Sequence, residues 1–128
     1  MLRLDCRLLH MVKNDCEHSH SYAQILLPVN TEVQLKNRDV VNKIGIRELC
    51  FIPPDMPHKC CCGKELIIIN IPSTMINKWD LQALSRKTVI PIEDSMIQLT
   101  ELIRAEAKGN FANIKIPVLL FLRAAYRE

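Results

Sequence analysis

The strongest constraint on the fold is a change in hydrophobic period near Pro72. Before this residue, short segments alternate apolar and polar side chains, as half-buried strands do. In "LRLDCRLL", the apolar side chains Leu2, Leu4, Cys6 and Leu8 share one face. Similar segments recur as far as "ELIIINI", which is apolar on both faces. About seven or eight short strands separated by turn residues predict a sandwich or a small barrel.

The segment after Pro72 shows a helical period instead. "PIEDSMIQLTELIRAEAKG" begins with Pro91, which suits a first helical turn. Four apolar residues then recur at the spacing of one helix face: Ile92, Met96, Leu99 and Ile103. A second helix fits "NIKIPVLLFLRAAYRE". The sequence therefore predicts a mainly β barrel followed by two C-terminal α-helices.

This organisation divides the chain into three parts within one structural domain. Residues 1–72 form the barrel, and residues 73–90 form a connector in which Trp79 packs. Residues 91–128 form a helical appendage. Its second helix is apolar over more than one face, so a monomer would leave apolar surface exposed. We expect a homodimer through that helix, with four residues at the contact: Val118, Leu119, Leu122 and Tyr126.

Composition excludes several classes of function. The formal net charge is only +3, and the basic residues are scattered among acids, so no basic stripe for nucleic acid is present. No apolar run reaches the roughly 18 residues of a membrane span, and the N-terminus lacks a signal-peptide pattern. We expect a cytoplasmic protein without membrane contact. The six cysteines include three consecutive ones, a poor disulfide framework, and we expect free thiols that fill apolar space.

Three histidines are the candidates for chemistry. In "HSHSYAQ", strand alternation places His18, His20, Tyr22 and Gln24 on one face. His58, from "IPPDMPH", is the plausible third imidazole, and Gln24 a further ligand. Imidazoles suit zinc, iron or nickel. Three interpretations stay open: a metal site, a metal-free pocket for a small molecule, or a barrel wall without a pocket. His10 falls outside the pattern and is expected at the surface.

"HSHSYAQ" and "IPPDMPH" together resemble the two cupin motifs. His18, His20 and His58 match that family's metal-binding histidines. Gln24 stands where the ligand glutamate is usual, and Cys62 replaces an asparagine. Thr31 and Asp55 occupy the two glycine positions, which implies a different turn geometry. The resemblance implies a double-stranded β-helix, or jelly-roll barrel.

The whole chain, with helices after the barrel, resembles the N-terminal domain of AraC-type transcription regulators. That resemblance implies a small-molecule effector in the barrel, dimerisation through the helices, and DNA binding only through a helix-turn-helix domain absent from this chain. Arg7 or Arg47 could pair with an acidic effector.

Two alternative functions remain beside the regulatory one. A small metal-dependent cupin enzyme, a dioxygenase or isomerase, is the first, although Gln24 and the missing glycines disfavour it; no catalytic residue is assigned. Redox sensing is the second, because Cys60 and Cys62 share the parity of His58 and could face the pocket.

Overall fold

The computed structural model of the protein describes residues 3–107. Nine strands and two α-helices lie in this range. The strands are β1 (Asp5–Leu9), β2 (Val12–Lys13), β3 (Ala23–Pro28), β4 (Val33–Asn37), β5 (Val40–Ile44), β6 (Glu48–Ile52), β7 (Lys59–Cys62), β8 (Leu66–Ile71) and β9 (Val89–Pro91). The helices are α1 (Lys78–Ser85) and α2 (Ile97–Ala107), and 3-10 turns span Ser73–Met75 and Asp94–Met96.

The strands form two antiparallel sheets. The first has five strands in the order β1-β8-β3-β6-β9, and the second has four in the order β2-β7-β4-β5. Strands that follow one another in the sequence mostly belong to different sheets, so the chain passes repeatedly from one sheet to the other, as in a jelly roll. The predicted mainly β fold is confirmed.

The two faces of β3 serve two different apolar cores, which explains why this strand is buried throughout. Leu26 faces the space between the two sheets, where it packs with Leu35, Ile52 and Cys62. Ile25 faces the other way, into a second core that includes residues of α1 and α2. Alternation along one strand therefore fills the barrel on one side and carries the helices on the other.

The segments after Pro72 differ in part from the sequence prediction. The expected connector contains α1, whose N-cap Asn77 accepts a hydrogen bond from the backbone of Asp80, and part of β9. The prediction that Pro91 opens a helix was wrong, because Pro91 is the last residue of β9. The α-helix begins later, at Ile97, directly after the 3-10 turn. Trp79 was expected to pack in the connector but is 71% exposed.

The predicted apolar face of the first C-terminal helix is buried in the second core, the one that Ile25 faces. Met96 and Ile103 are fully buried there, and Leu99 packs at its edge. The second predicted helix, with the proposed dimer residues, lies outside the described residues. No helix in residues 3–107 is long and apolar enough to cross a membrane.

Candidate functional site

The histidine cluster forms where the ends of β2 and β7 are extended by one further backbone pairing. His18 and His58 pair as an isolated antiparallel bridge, and each backbone N–H donates to the other's carbonyl at 3.0 and 2.9 Å. Residues directly opposite in such a pair present their side chains on the same face. The two imidazole centroids consequently lie 4.6 Å apart.

His20 joins this pair through the turn that precedes His58. The backbone N–H of Asp55 donates to the carbonyl of His20 at 2.7 Å, which ties the two sequence motifs together. The His20 ring centroid is 4.8 Å from that of His18 and 5.5 Å from that of His58. The Tyr22 ring stacks on the His20 ring, with the two centroids 4.7 Å apart. The structure thus brings together four of the five residues predicted for the pocket.

Asp55 explains how the turn forms without the glycine of the cupin motif. Its φ is +66°, in the left-handed region that glycine favours and that aspartate tolerates better than most residues. The turn at this position thus uses a backbone conformation that glycine would also adopt. Thr31, at the other glycine position, has no positive φ.

The tautomer of His58 follows from its hydrogen bond. Its Nδ1 lies 2.9 Å from the Met56 carbonyl oxygen, which can only accept, so Nδ1 carries the proton. The lone pair is then on Nε2. Fixing one ring nitrogen through a backbone carbonyl is the usual way in which proteins orient a metal-binding imidazole.

The surroundings of His20 and His58 favour the neutral form of each imidazole. Burial lowers the pKa of His20 from 6.5, and the neighbouring His18 and His58 rings lower it further. Burial also lowers the pKa of His58, assisted by His18, while the Met56 hydrogen bond and the Glu17 carboxylate act in the opposite direction. Because a metal binds the neutral imidazole, these environments favour ligation near neutral pH.

The three histidines fit a transition-metal site. One potential ligand nitrogen from each ring lies within 4.8 Å of the others, and no other such cluster of histidine, cysteine or acidic side chains occurs in residues 3–107. Nitrogens that share one tetrahedral zinc at about 2.0–2.1 Å lie roughly 3.4 Å apart, so a modest rotation of the rings would close the site. His58 is buried, whereas His18 and His20 are half-buried and leave a path from solvent.

Gln24 lies on the barrel side of β3 but has a definite partner of its own. Its Nε2 donates to Oδ1 of Asn70 at 2.8 Å, and Nδ2 of Asn70 donates to the Asp5 carboxylate at 3.1 Å. These three residues are in register across β1, β8 and β3. Asn70 was missed in the sequence, although it is the only polar residue inside the run "LIIINI".

The consecutive cysteines divide between the two faces of β7. Cys60 and Cys62 are buried in the barrel core, and Cys61 is exposed. Burial, with the nearby Cys62 and Cys61, raises the pKa of Cys60 to about 11, so its thiol is protonated near neutral pH. The thiol of Cys60 lies 3.4 Å from Oδ1 of Asn14. Cys60 and Cys62 are not part of the histidine cluster.

The same fold occurs in ToxT from Vibrio cholerae O395, an AraC-type regulator with a cupin-like N-terminal domain. One ToxT structure, bound to (E)-4-(8-methylnaphthalen-1-yl)but-3-enoic acid, aligns with 98% of this chain and 57% of its own, with a TM-score of 0.56 and 12% identity. Another aligns with 94% of this chain and 52% of its own, with a TM-score of 0.53 and 12% identity. This chain folds as a cupin.

A cupin-2 domain protein from Shewanella frigidimarina also aligns, with 56% of this chain and 72% of its own, at a TM-score of 0.45 and 22% identity. No protein-family model and no curated protein matches the sequence. The likeness to ToxT confirms the predicted resemblance as one of fold, and the chain spans only about half of the ToxT length.

Proposed function

We propose that the chain is the sensing domain of an AraC-type transcription regulator and that its cupin pocket binds a divalent transition metal. The observation that carries the regulatory role is the extent of the likeness to ToxT. It covers 98% of this chain, and thus includes α1, β9 and α2 as well as the barrel. A small catalytic cupin does not need these additional elements.

The metal would be held by the three imidazoles of His18, His20 and His58, with Tyr22 stacked on the His20 ring. All three rings come from backbone segments fixed by hydrogen bonds, which favours a preformed site. When bound, a divalent metal would act as a Lewis acid or would orient a small molecule in the pocket. Asn70 holds Gln24 across the sheet and limits the freedom of its amide to approach the cluster.

A small organic effector is the second part of the proposed sensing role. One ToxT structure contains an aromatic carboxylic acid, which supports a comparable class of effector here. Binding would shift the population between two arrangements of barrel and helices, as in any two-state sensor. Dimerisation through Val118, Leu119, Leu122 and Tyr126, and action in the cytoplasm, belong to the same proposal.

The test uses the product of the complete reading frame, tagged in its native host. Chromatin immunoprecipitation is expected to recover discrete DNA sites, and the His18→Ala/His20→Ala variant is expected to occupy them differently. The matched control is His10→Ala, which removes an exposed histidine outside the cluster. A protein that binds metal but recovers no DNA would refute the regulatory role and favour the alternative of a metal-dependent enzyme.

A further inference from the structure

The outer face of the four-stranded sheet gathers lysines that are scattered along the sequence. The alternate residues of β2, β4 and β7 are buried in the barrel core, so the side chains between them lie on the opposite face. The antiparallel register places Lys13 opposite Cys61, Cys61 opposite Gln34, and Lys59 opposite Lys36. Lysines from three separate parts of the sequence therefore meet on one surface.

A cavity of about 180 Å³, which we call the lysine cavity, lies between these side chains. Its charged lining residues are Lys13, Lys36 and Lys59, and none of the acidic residues in the described part of the chain lines it. The three ammonium groups form no ion pair within residues 3–107. The carboxylate of Glu17 accepts the backbone N–H of Arg38 at 2.7 Å, at the hairpin that follows Lys36. The lining thus carries three positive charges and no counter-charge of its own.

Lys36 and Lys59 form a directly opposed pair of like charges. The Cβ atoms of such an antiparallel pair lie about 4.5–5.5 Å apart, and like charges in this position destabilise a sheet. Both residues are half-buried, so solvent screens their repulsion less than at a fully exposed site. An anion bound between the two ammonium groups would remove this repulsion. The pair therefore points to a negatively charged ligand.

Two amide side chains add neutral hydrogen-bond donors to the lysine cavity. Oδ1 of Asn14 accepts the backbone N–H of Cys60 at 3.0 Å, while its Nδ2 has no hydrogen-bond partner within residues 3–107. The Gln34 side chain also lines the cavity and forms no hydrogen bond with these residues. Ammonium and amide donors together can satisfy the several acceptor oxygens of one compact anion.

The charge and size of the lysine cavity select a phosphate group. A phosphate group carries about 1.5 to 2 negative charges near pH 7 and three strong acceptor oxygens, and lysine binds it as a point charge. The guanidinium fork that matches a planar carboxylate is absent from the lining. The volume is below the roughly 300 Å³ of a typical drug-sized ligand site, so a compact head group fits better than a large organic molecule.

We propose that the lysine cavity binds a doubly charged phosphate group, either as the free ion or as the monoester of a small molecule. Lys36 and Lys59 bind the phosphate oxygens from two neighbouring strands, and Lys13 adds a third positive charge. Asn14 and Gln34 donate the neutral hydrogen bonds. This site stands independently of the metal and of the regulatory role.

The thiol of Cys61 provides the readout, because it is exposed and lines the lysine cavity, whereas the exposed thiol of Cys16 does not line it. The full chain is alkylated with iodoacetamide, a neutral reagent, at constant ionic strength, and mass spectrometry follows each cysteine. Inorganic phosphate and glycerol 3-phosphate are expected to slow the alkylation of Cys61 saturably and to leave Cys16 unchanged. The one that protects at the lower concentration identifies the source of the phosphate group.

Charge provides the matched control for the ligand. Dimethyl phosphate has the same phosphorus centre but a single negative charge, and we expect it to protect Cys61 only at a concentration at least tenfold higher. Lys59→Gln should raise the half-protecting concentration of the better phosphate about tenfold, the lower end of the effect of one charge-assisted hydrogen bond. Lys78→Gln removes an exposed lysine of α1 outside the cavity and should behave like the wild type. A His18→Ala/His20→Ala variant should retain protection, which separates this site from the histidine cluster.

The repulsion between Lys36 and Lys59 gives a second readout of opposite sign. Without phosphate and at low salt, Lys59→Gln should raise the melting temperature by about 1–4 °C, because it removes a like-charge pair. Phosphate should raise the melting temperature of the wild type, and that of Lys59→Gln by less.

Four results would overturn the proposal. They are the absence of saturable protection, equal protection of Cys16 and Cys61, equal protection by dimethyl phosphate, and an unchanged half-protecting concentration in folded Lys59→Gln. A single-stranded oligonucleotide that protects Cys61 where both small phosphates fail would likewise refute it and assign the lysines to a nucleic-acid surface.

Discussion

Asn70 is the residue whose replacement tests the interior of the barrel most sharply. Asn70→Leu removes both of its hydrogen bonds and leaves the Gln24 amide nitrogen without its partner in a site that is only 7% exposed. An unsatisfied buried donor costs about 1–3 kcal/mol. The Asp5 carboxylate loses less, since its side chain is 30% exposed and water can replace the lost donor. We expect a decrease of about 2 kcal/mol in the free energy of unfolding.

The double variant Gln24→Leu/Asn70→Leu separates this cost from a loss of packing. Replacing both partners by apolar groups of similar shape is nearly neutral, so the double variant should be more stable than Asn70→Leu alone. The assay is urea denaturation followed by far-UV circular dichroism. With a slope of about 2 kcal/mol per molar urea, the midpoint of the single variant should fall by about 1 M.

Two results would refute this reasoning. If the losses of unfolding free energy in Asn70→Leu and Gln24→Leu simply add in the double variant, the coupling free energy is near zero. The two side chains would then not stabilise the fold through their hydrogen bond. If Gln24→Leu instead abolishes metal binding without changing stability, the amide serves as a metal ligand, and its hydrogen bond to Asn70 is not its main role.

Four further predictions concern core packing, the backbone at Asp55, thiol reactivity and the pH dependence of stability. Met96→Ala should lower the free energy of unfolding by about 2–5 kcal/mol, and the more exposed neighbour Ile97→Ala by much less, in the same denaturation assay. Asp55→Gly should leave thermal stability unchanged or raise it, whereas Asp55→Val should lower the melting temperature, because a β-branched residue is strained at this positive φ; equal melting temperatures would contradict the turn. In a thiol titration of the native protein at pH 8, only the two exposed cysteines, Cys16 and Cys61, should react rapidly, and faster reaction of buried thiols would contradict the core. The unfolding free energy should fall as pH rises above 9, because unfolded thiols lose protons that buried ones keep; burial raises the pKa to about 11 for Cys6, about 12 for Cys50 and about 11 for Cys60.

The longer strands could be predicted because each shows a recognisable pattern over five or six residues. β1 and β4 alternate apolar and polar residues, whereas β3 and β8 are largely apolar runs whose two buried faces match two separate cores. β2 and β9 have two and three residues, too few to display a period, so only pairing with β7 and β6 defines them. The short helix α1 has a weak apolar face with one buried residue, Leu84, and its pattern is correspondingly hard to detect.

The candidate site was predictable where it depends on strand parity and on a recognisable pair of motifs. The alternation of side chains along single strands does not predict that His18 and His58 pair in an antiparallel bridge. The resemblance to the two cupin motifs does predict that these two histidines lie together. Gln24 and Arg104 form hydrogen bonds with residues 46 and 76 positions away, and these bonds depend on the register of the sheets and the docking of α2. A tertiary contact of this kind leaves no local signal in the sequence.

Metal binding by the histidine cluster is the central claim, and a titration of the chelator-treated protein with zinc, iron(II) and nickel tests it most directly. The account predicts one metal ion per chain, with binding lost in His58→Ala and in His18→Ala/His20→Ala and retained in His10→Ala. The circular dichroism of each variant establishes that it is folded. Stoichiometric binding that survives removal of the three clustered histidines, or no binding by the folded wild type, would contradict the account.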